Sequence, residues 1–221
     1  MNKKNTTMPA SVRQLLLLAC ALLPATAAAG PTGPTGQALA FTCAGCHGTD
    51  GSSVGPSMPA IAGMDPEVFV DAMRAYREDQ RNPSIMNRIA KAYSDEQLEA
   101  MSWFFASQRL RVFPQEYDAA LAARGVDLHQ AYCEKCHENG GLPGDAGTLA
   151  GQWIPYLEFT MEDFLNGKRQ WPRKMKRKVD AAIAEAGDQA IPALVNYYGS
   201  QSSTAATGAT GATGVSADQE Q

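Results

Sequence analysis

The motif Cys43-Ala-Gly-Cys46-His47 returns 90 residues later as Cys133-Glu-Lys-Cys136-His137, and no other feature restricts the chain so strongly. The two copies belong to a longer register. Ile61-Ala62-Gly63 and Leu149-Ala150-Gly151 lie 88 residues apart, while Pro66 and Pro155, like Met86 and Met175, lie 89 apart. Ala106-Ser107-Gln108 and Gly199-Ser200-Gln201 lie 93 apart, because the second copy carries a few extra residues around 184–189. A period near 90 in a chain of 221 residues is an internal duplication, so two domains of about 80 residues are expected rather than one large core. We place them at 37–116 and 117–201, joined near 114–120.

Each unit reads as helix. Pro66 suits a first helical turn and leads into 67–77, with Phe69, Met73 and Tyr76 at helical spacing. Ser94-Asp95-Glu96-Gln97 is a capping box that opens a helix through about 105. The second unit repeats the plan with 155–164 and a terminal helix reaching 198, whose start Pro192 leaves open. No alternating strand pattern competes, so the fold class is all-α. Units this small bury a thin core, which an enclosed cofactor would reinforce.

The flanks differ in kind. Residues 1–29 join Lys3, Lys4 and Arg13 to a short leucine-rich run and to Ala27 and Ala29, the pattern of a cleaved signal peptide, and they imply a periplasmic protein. The apolar run falls well short of the roughly 20 residues that span a bilayer, so no membrane span is expected. Residues 30–36, GPTGPTG, read as a flexible leader, and 202–221 as a disordered tail with almost no large apolar side chains. Cleavage after 29 lowers the basic count from 19 to 16 against 23 acidic residues, which argues against a nucleic-acid partner.

C-x-x-C-H is the attachment sequence of c-type haem. On one helical turn the two thiols and the following imidazole share a face, so Cys43 and Cys46, and again Cys133 and Cys136, can form thioethers with the haem vinyl groups. His47 and His137 then reach the iron. Two disulfides or a four-cysteine zinc site are the alternatives, but neither needs a histidine after each pair. A thioredoxin-like pair would need a strand-helix-strand pattern that is not visible.

For the sixth iron ligand, Met86 and Met175 follow their histidines by 39 and 38 residues, each in a P-x-x-M segment, Pro83-Ser-Ile-Met86 and Pro172-Arg-Lys-Met175. A proline-braced loop can present a thioether across the haem plane. Met73 and Met161 are also equivalent in the repeat but fall on apolar helix faces and read as core. Met58, Met64 and Met101 have no methionine at the matching position and read as filler. Histidine and methionine together raise the potential and leave no open coordination position, which points to electron transfer without a catalytic site. His129, a helical turn before Cys133, reads as a surface residue.

In the first unit the segment 55–63 can place a backbone carbonyl on the far nitrogen of His47. The second unit has Gly147 where the first has Pro59, which leaves the orientation of His137 less predictable, and the two haems are expected to differ in potential. Around Met175 stand seven cations in eleven residues: Lys168, Arg169, Arg173, Lys174, Lys176, Arg177 and Lys178. A solvated face, in part serving haem propionates, and a docking patch for an acidic redox partner are both open readings.

On these motifs the chain resembles the two-domain class I cytochromes c, and among them the cytochrome subunit of flavocytochrome c sulfide dehydrogenase. The resemblance covers about 39–201 and rests on CAGCHGTDGSSVGPSMPAIAGMDP, SIMNRIAKAYS, YCEKCH and LAGQWIPYLEFTMEDF. It implies two tandem class I domains, each enclosing one covalent haem c, with His47/Met86 and His137/Met175 as axial ligands. It also implies a heterodimer with a flavoprotein that carries FAD and oxidises sulfide, and a downstream acceptor cytochrome. A free-standing shuttle of the cytochrome c4 type is the alternative. A dihaem peroxidase would need an iron that can open a coordination site, which two alike P-x-x-M segments do not suggest.

Overall fold

The computed structural model describes residues 34–82 and 84–201. The expected signal peptide at 1–29, the first part of the leader, Pro83 and the tail at 202–221 lie outside the described residues. Among those described, all regular structure is helical, and no helix is long and apolar enough to cross a membrane.

The first half begins earlier than expected. Thr35, assigned to the leader, accepts from the Ala38 N–H through its side chain and caps α1, Gly36–Ala40. A 3-10 turn, Phe41–Cys43, leads into α2, Ala44–His47, which carries the first motif. The predicted helix at 67–77 is α3, Pro66–Arg77, with Pro66 in its first turn and Asp65 as its cap. A short helix α4, Ile85–Ala90, follows, and then α5, Asp95–Ala106, opened by the Ser94–Gln97 capping box read from the sequence.

The second half repeats the order with longer pieces. Helix α6, Ala119–Leu128, runs into a π-helical turn, His129–Cys133, and then into the second motif and the distorted turn α7, Glu138–Gly141. Helix α8 spans Ile154–Leu165 and α9 Arg173–Ala186. A 3-10 turn at Gly187–Gln189 precedes α10, Ala190–Ser200. Pro192 therefore sits in the first turn of α10, where a missing N–H costs no intrahelical bond. The extra residues of the second copy make α9 longer than its counterpart α4.

Both halves close the same way. The first helix crosses the last, and the crossing is tight because Gly36 lies on Ala100 and Gly125 on Ala193. A Cβ at Gly36 would come 2.0 Å from the Ala100 carbonyl oxygen, and one at Gly125 would come 2.3 Å from that of Ala193. Ala100 and Ala193 are the same position of the repeat, 93 residues apart. Leu98, Met101 and Phe105 of α5 form the first core with Phe69 and Met73. Leu194, Val195 and Tyr198 of α10 form the second with Leu128 and Leu157.

The joining segment 107–118 straps the halves together. Its Arg111 N–H donates to Ser52 Oγ at 3.0 Å in the first half. Gln115 donates to the carbonyls of Gln152 and Gly199, at 2.9 and 3.0 Å, and accepts from the Ile154 N–H at 2.8 Å. A direct clasp lies beside the strap. The buried amide of Gln152 pairs with the backbone of Ala60 in both directions, donating at 2.7 Å and accepting at 2.9 Å, and Trp153 Nε1 donates to the Ser53 carbonyl at 3.0 Å.

Candidate functional site

Each motif is a single helical turn whose exit is fixed by one glycine. Gly51 (φ +86°) turns its carbonyl to accept from Ile61 and Ala62 N–H at 2.7 and 3.1 Å. Gly141 (φ +86°) does the same for Leu149 and Ala150, both at 2.8 Å. A Cβ would be strained at either place and would meet the last helix, at Phe105 in one half and Tyr198 in the other. The loop after each motif is then pinned to that helix, by Gly63 N–H on the Phe105 carbonyl at 2.8 Å and Gly151 N–H on the Tyr198 carbonyl at 2.9 Å.

In the first half His47 is buried, and its Nδ1–H donates to the Pro59 carbonyl at 2.8 Å. A carbonyl only accepts, so the proton sits on Nδ1 and the ring's lone pair on Nε2, which makes no hydrogen bond among the described residues. Burial holds the imidazole below its ordinary pKa, with the Pro59 bond opposing. This is the carbonyl brace that segment 55–63 led us to expect. Ala60, one residue on, is the backbone clasped by Gln152, so the second half steadies the loop that orients the first half's histidine.

The second half is built differently. His137 Nδ1 is buried and has no hydrogen-bond partner among the described residues. Burial again lowers its pKa, and His129 lowers it further. His129 corrects our sequence reading: it is a buried residue, only 1% exposed. Its Nε2–H donates to the Glu134 carboxylate, and its Nδ1 shares a 2.9 Å hydrogen bond with the Tyr198 hydroxyl. Glu134 lies between the two cysteines of the motif and also accepts from the Asn139 N–H at 3.0 Å, so one carboxylate holds both ends of the attachment loop. Burial pushes Glu134 up, but the Asn139, His129 and Gly140 bonds outweigh it and leave the carboxyl below its usual range. Tyr197 and Tyr198 flank the His129 ring at centroid distances of 5.0 and 5.5 Å. The equivalent first-half positions are Leu39, Ala44 and Phe105, all apolar. The π-helical turn before the motif was the signal the sequence did not reveal. There Glu134 N–H reaches the His129 carbonyl at 2.9 Å, a five-residue step that draws the ring inward.

Cys43, Cys46, Cys133 and Cys136 form no disulfide, and no cluster of three or more His, Cys, Asp or Glu side chains suited to a metal ion forms among the described residues. Cys46 and Cys136 are exposed, and Cys43 and Cys133 are half-buried with thiol pKa values raised by burial. A cleft beside Cys136 is lined by Leu142, Pro143 and Gly147. Met86 and Met175 are half-buried and stand in the first turns of α4 and α9, not in loops as expected. The reason for Met86 is local: Ser84 and Asn87 form a reciprocal cap that starts a helix at Ile85. Met86 packs on the first core, Met73 is buried within it, and Met161 packs on the second core.

Paired thiols on one helical turn, followed by an imidazole with a free Nε2, fit covalent haem. Occurring once in each half of an all-helical duplication, they define a two-domain c-type cytochrome. The cytochrome c family model matches residues 34–108. The chain is 32% identical to cytochrome c4 of Pseudomonas aeruginosa over 193 residues, covering 81% of this chain and 94% of that protein. It belongs to the cytochrome c4 family of dihaem electron-transfer proteins. The crystal structure of reduced cytochrome c4 from Pseudomonas stutzeri superposes with a TM-score of 0.64 at 26% identity, covering 75% of this chain and 96% of that one. The cytochrome subunit of sulfide dehydrogenase from Chlorobaculum tepidum is 36% identical over 72 residues, which is 33% of this chain and 64% of that protein.

Proposed function

We propose that the chain is a free-standing dihaem electron carrier working in the periplasm, in which His47 and Met86 would hold the first haem iron and His137 and Met175 the second. Bound haem c supplies a one-electron couple. The chain holds each imidazole in place, through Pro59 in one half and through burial beside the Glu134-fastened loop in the other. The apolar cores exclude water, and the strap and the Gln152 clasp keep the two halves together. What carries the reading is coverage: likeness to cytochrome c4 runs through both halves, whereas likeness to the sulfide dehydrogenase subunit is confined to 33% of this chain.

That shorter likeness favours a second reading, in which the chain is the electron-accepting subunit of a complex with an FAD flavoprotein. Gentle native purification separates the two. A flavin-free peak whose haems need an added reductase supports the carrier. Flavin co-eluting at about one per two haems, with haem reduction by sulfide, would replace the carrier with the complex.

A further inference from the structure

We propose that the exposed face of α9 around Met175 is the docking surface for a redox protein with an acidic face, so that the second half is the port for such a partner. This rests on the electron-carrier reading above. The stretch 168–178 holds seven basic residues and no acidic one, while the rest of the chain has twelve basic against 23 acidic residues. The equivalent stretch of the first half, 79–89, has Arg81 and Arg88 only, with Ser84, Ile85, Asn87 and Ile89 where the second half has Arg173, Lys174, Lys176 and Lys178.

The structure separates the cations that are occupied from those that are not. Lys176 pairs with Asp180 at 2.8 Å, and Arg169 is half-buried, stacked over Phe164 at 4.3 Å. Lys168, Arg173, Lys174 and Arg177 are exposed and make no ion pair among the described residues. Two nearby acids have other hydrogen-bond partners: Asp163 accepts from Asn82 and Glu185 from Tyr132. Two costs argue against an idle surface. Arg173 and Lys174 stand in the first turn of α9, where the helix dipole disfavours cations, and Arg173–Arg177 and Lys174–Lys178 repel at i,i+4. Leu165, 52% exposed just before the stretch, adds an apolar element of the kind found inside a charged rim. Charge of one sign, exposed and held against local preference, selects a partner of the opposite sign and speeds encounter at low salt.

The test uses the dihaem protein and reduced flavodoxin, an acidic flavoprotein, under anaerobic stopped flow. Flavodoxin's anionic hydroquinone gives up one electron to a ferric haem and becomes the neutral semiquinone, and no proton or bond changes. The second-order rate should fall at least about tenfold as ionic strength rises from about 20 to about 300 mM. The triple variant Lys168→Gln, Lys174→Gln, Arg177→Gln should be at least about fivefold slower at low salt, with a flattened salt dependence. Arg88→Gln, at the first-half position matching Arg177, should match the unaltered protein. Absorbance spectra of both variants check that the haems are intact. If dithionite reduces the haems but the triple variant keeps the unaltered rate and slope, the docking surface is wrong and the carrier reading stands. If neither reductant reduces them, both fall.

Discussion

The two halves share a backbone plan and differ in what steadies the histidine of each motif. In the first, a carbonyl from a neighbouring loop bonds His47 directly, and the surrounding positions Leu39, Ala44 and Phe105 are apolar. In the second, that carbonyl bond is missing, and His129, Glu134 and Tyr198 instead tie the attachment loop to α6 and α10. Duplication preserved the turn glycines and helix crossings because a misfit there is steric and cannot be relaxed. It left the polar supports free to diverge, since more than one hydrogen-bond scheme can hold the same turn.

The largest effect should come from the proposed iron ligands. Met175→Ala is expected to lower the potential of one haem by on the order of 0.1 V or more, with loss of half of the sulfur-to-iron absorbance, and Met86→Ala should do the same for the other haem. Potentiometric titration of both variants measures this. An undisturbed Met175→Ala protein alongside a disturbed Met161→Ala protein would reassign the ligand.

Removing one member of the polar support should cost stability in the second half alone. His129→Ala leaves the Tyr198 hydroxyl and a cavity behind, for about 2–4 kcal/mol. The triple change His129→Leu, Glu134→Ala, Tyr198→Phe copies the first half and should recover much of that loss. Denaturant titration of the three proteins decides it, and a triple variant weaker than His129→Ala would show that the halves are not interchangeable here.

Gln152→Ala tests whether the halves are independent. Its amide is the buried partner of both polar groups of Ala60, so about 1–3 kcal/mol should be lost. The spectral change should appear in the first haem, although residue 152 belongs to the second half. Resonance assigned to each haem by NMR distinguishes the two.

The smallest effect concerns acid. Asp79 and Asp95 of the first half are held below the usual carboxylate range, chiefly by hydrogen bonds from Lys91 and from Arg77. Each folded-state pKa is depressed, so the stabilisation is present above the unfolded value of about 4 and disappears as pH falls through the folded one. Both pairs are exposed, so the loss is small. Hydrogen exchange at falling pH should show these first-half contacts, around α4 and α5, loosening below about pH 4, with added salt reducing the effect.

Local chemistry alone was enough to locate both attachment turns, the capped helices at Pro66–Arg77 and Asp95–Ala106, and the carbonyl brace on His47, because these depend on residues close in the chain. The short helix at Ile85–Ala90 escaped notice, since six residues show no periodicity and its Ser84–Asn87 cap is a weaker signal than Ser94–Gln97. His129 escaped for a different reason. A histidine beside an exposed Gln130 carries no mark of burial, and its partner Tyr198 lies 69 residues away. Gln152 likewise looks like any polar residue until folding sets it against Ala60 of the other half. The sequence by itself determined what the chain can attach and where each turn forms, because those are matters of spacing within a few residues. Only the tertiary structure decided which polar groups are buried together, because hydrogen-bond partners far apart in sequence are chosen by how the helices pack.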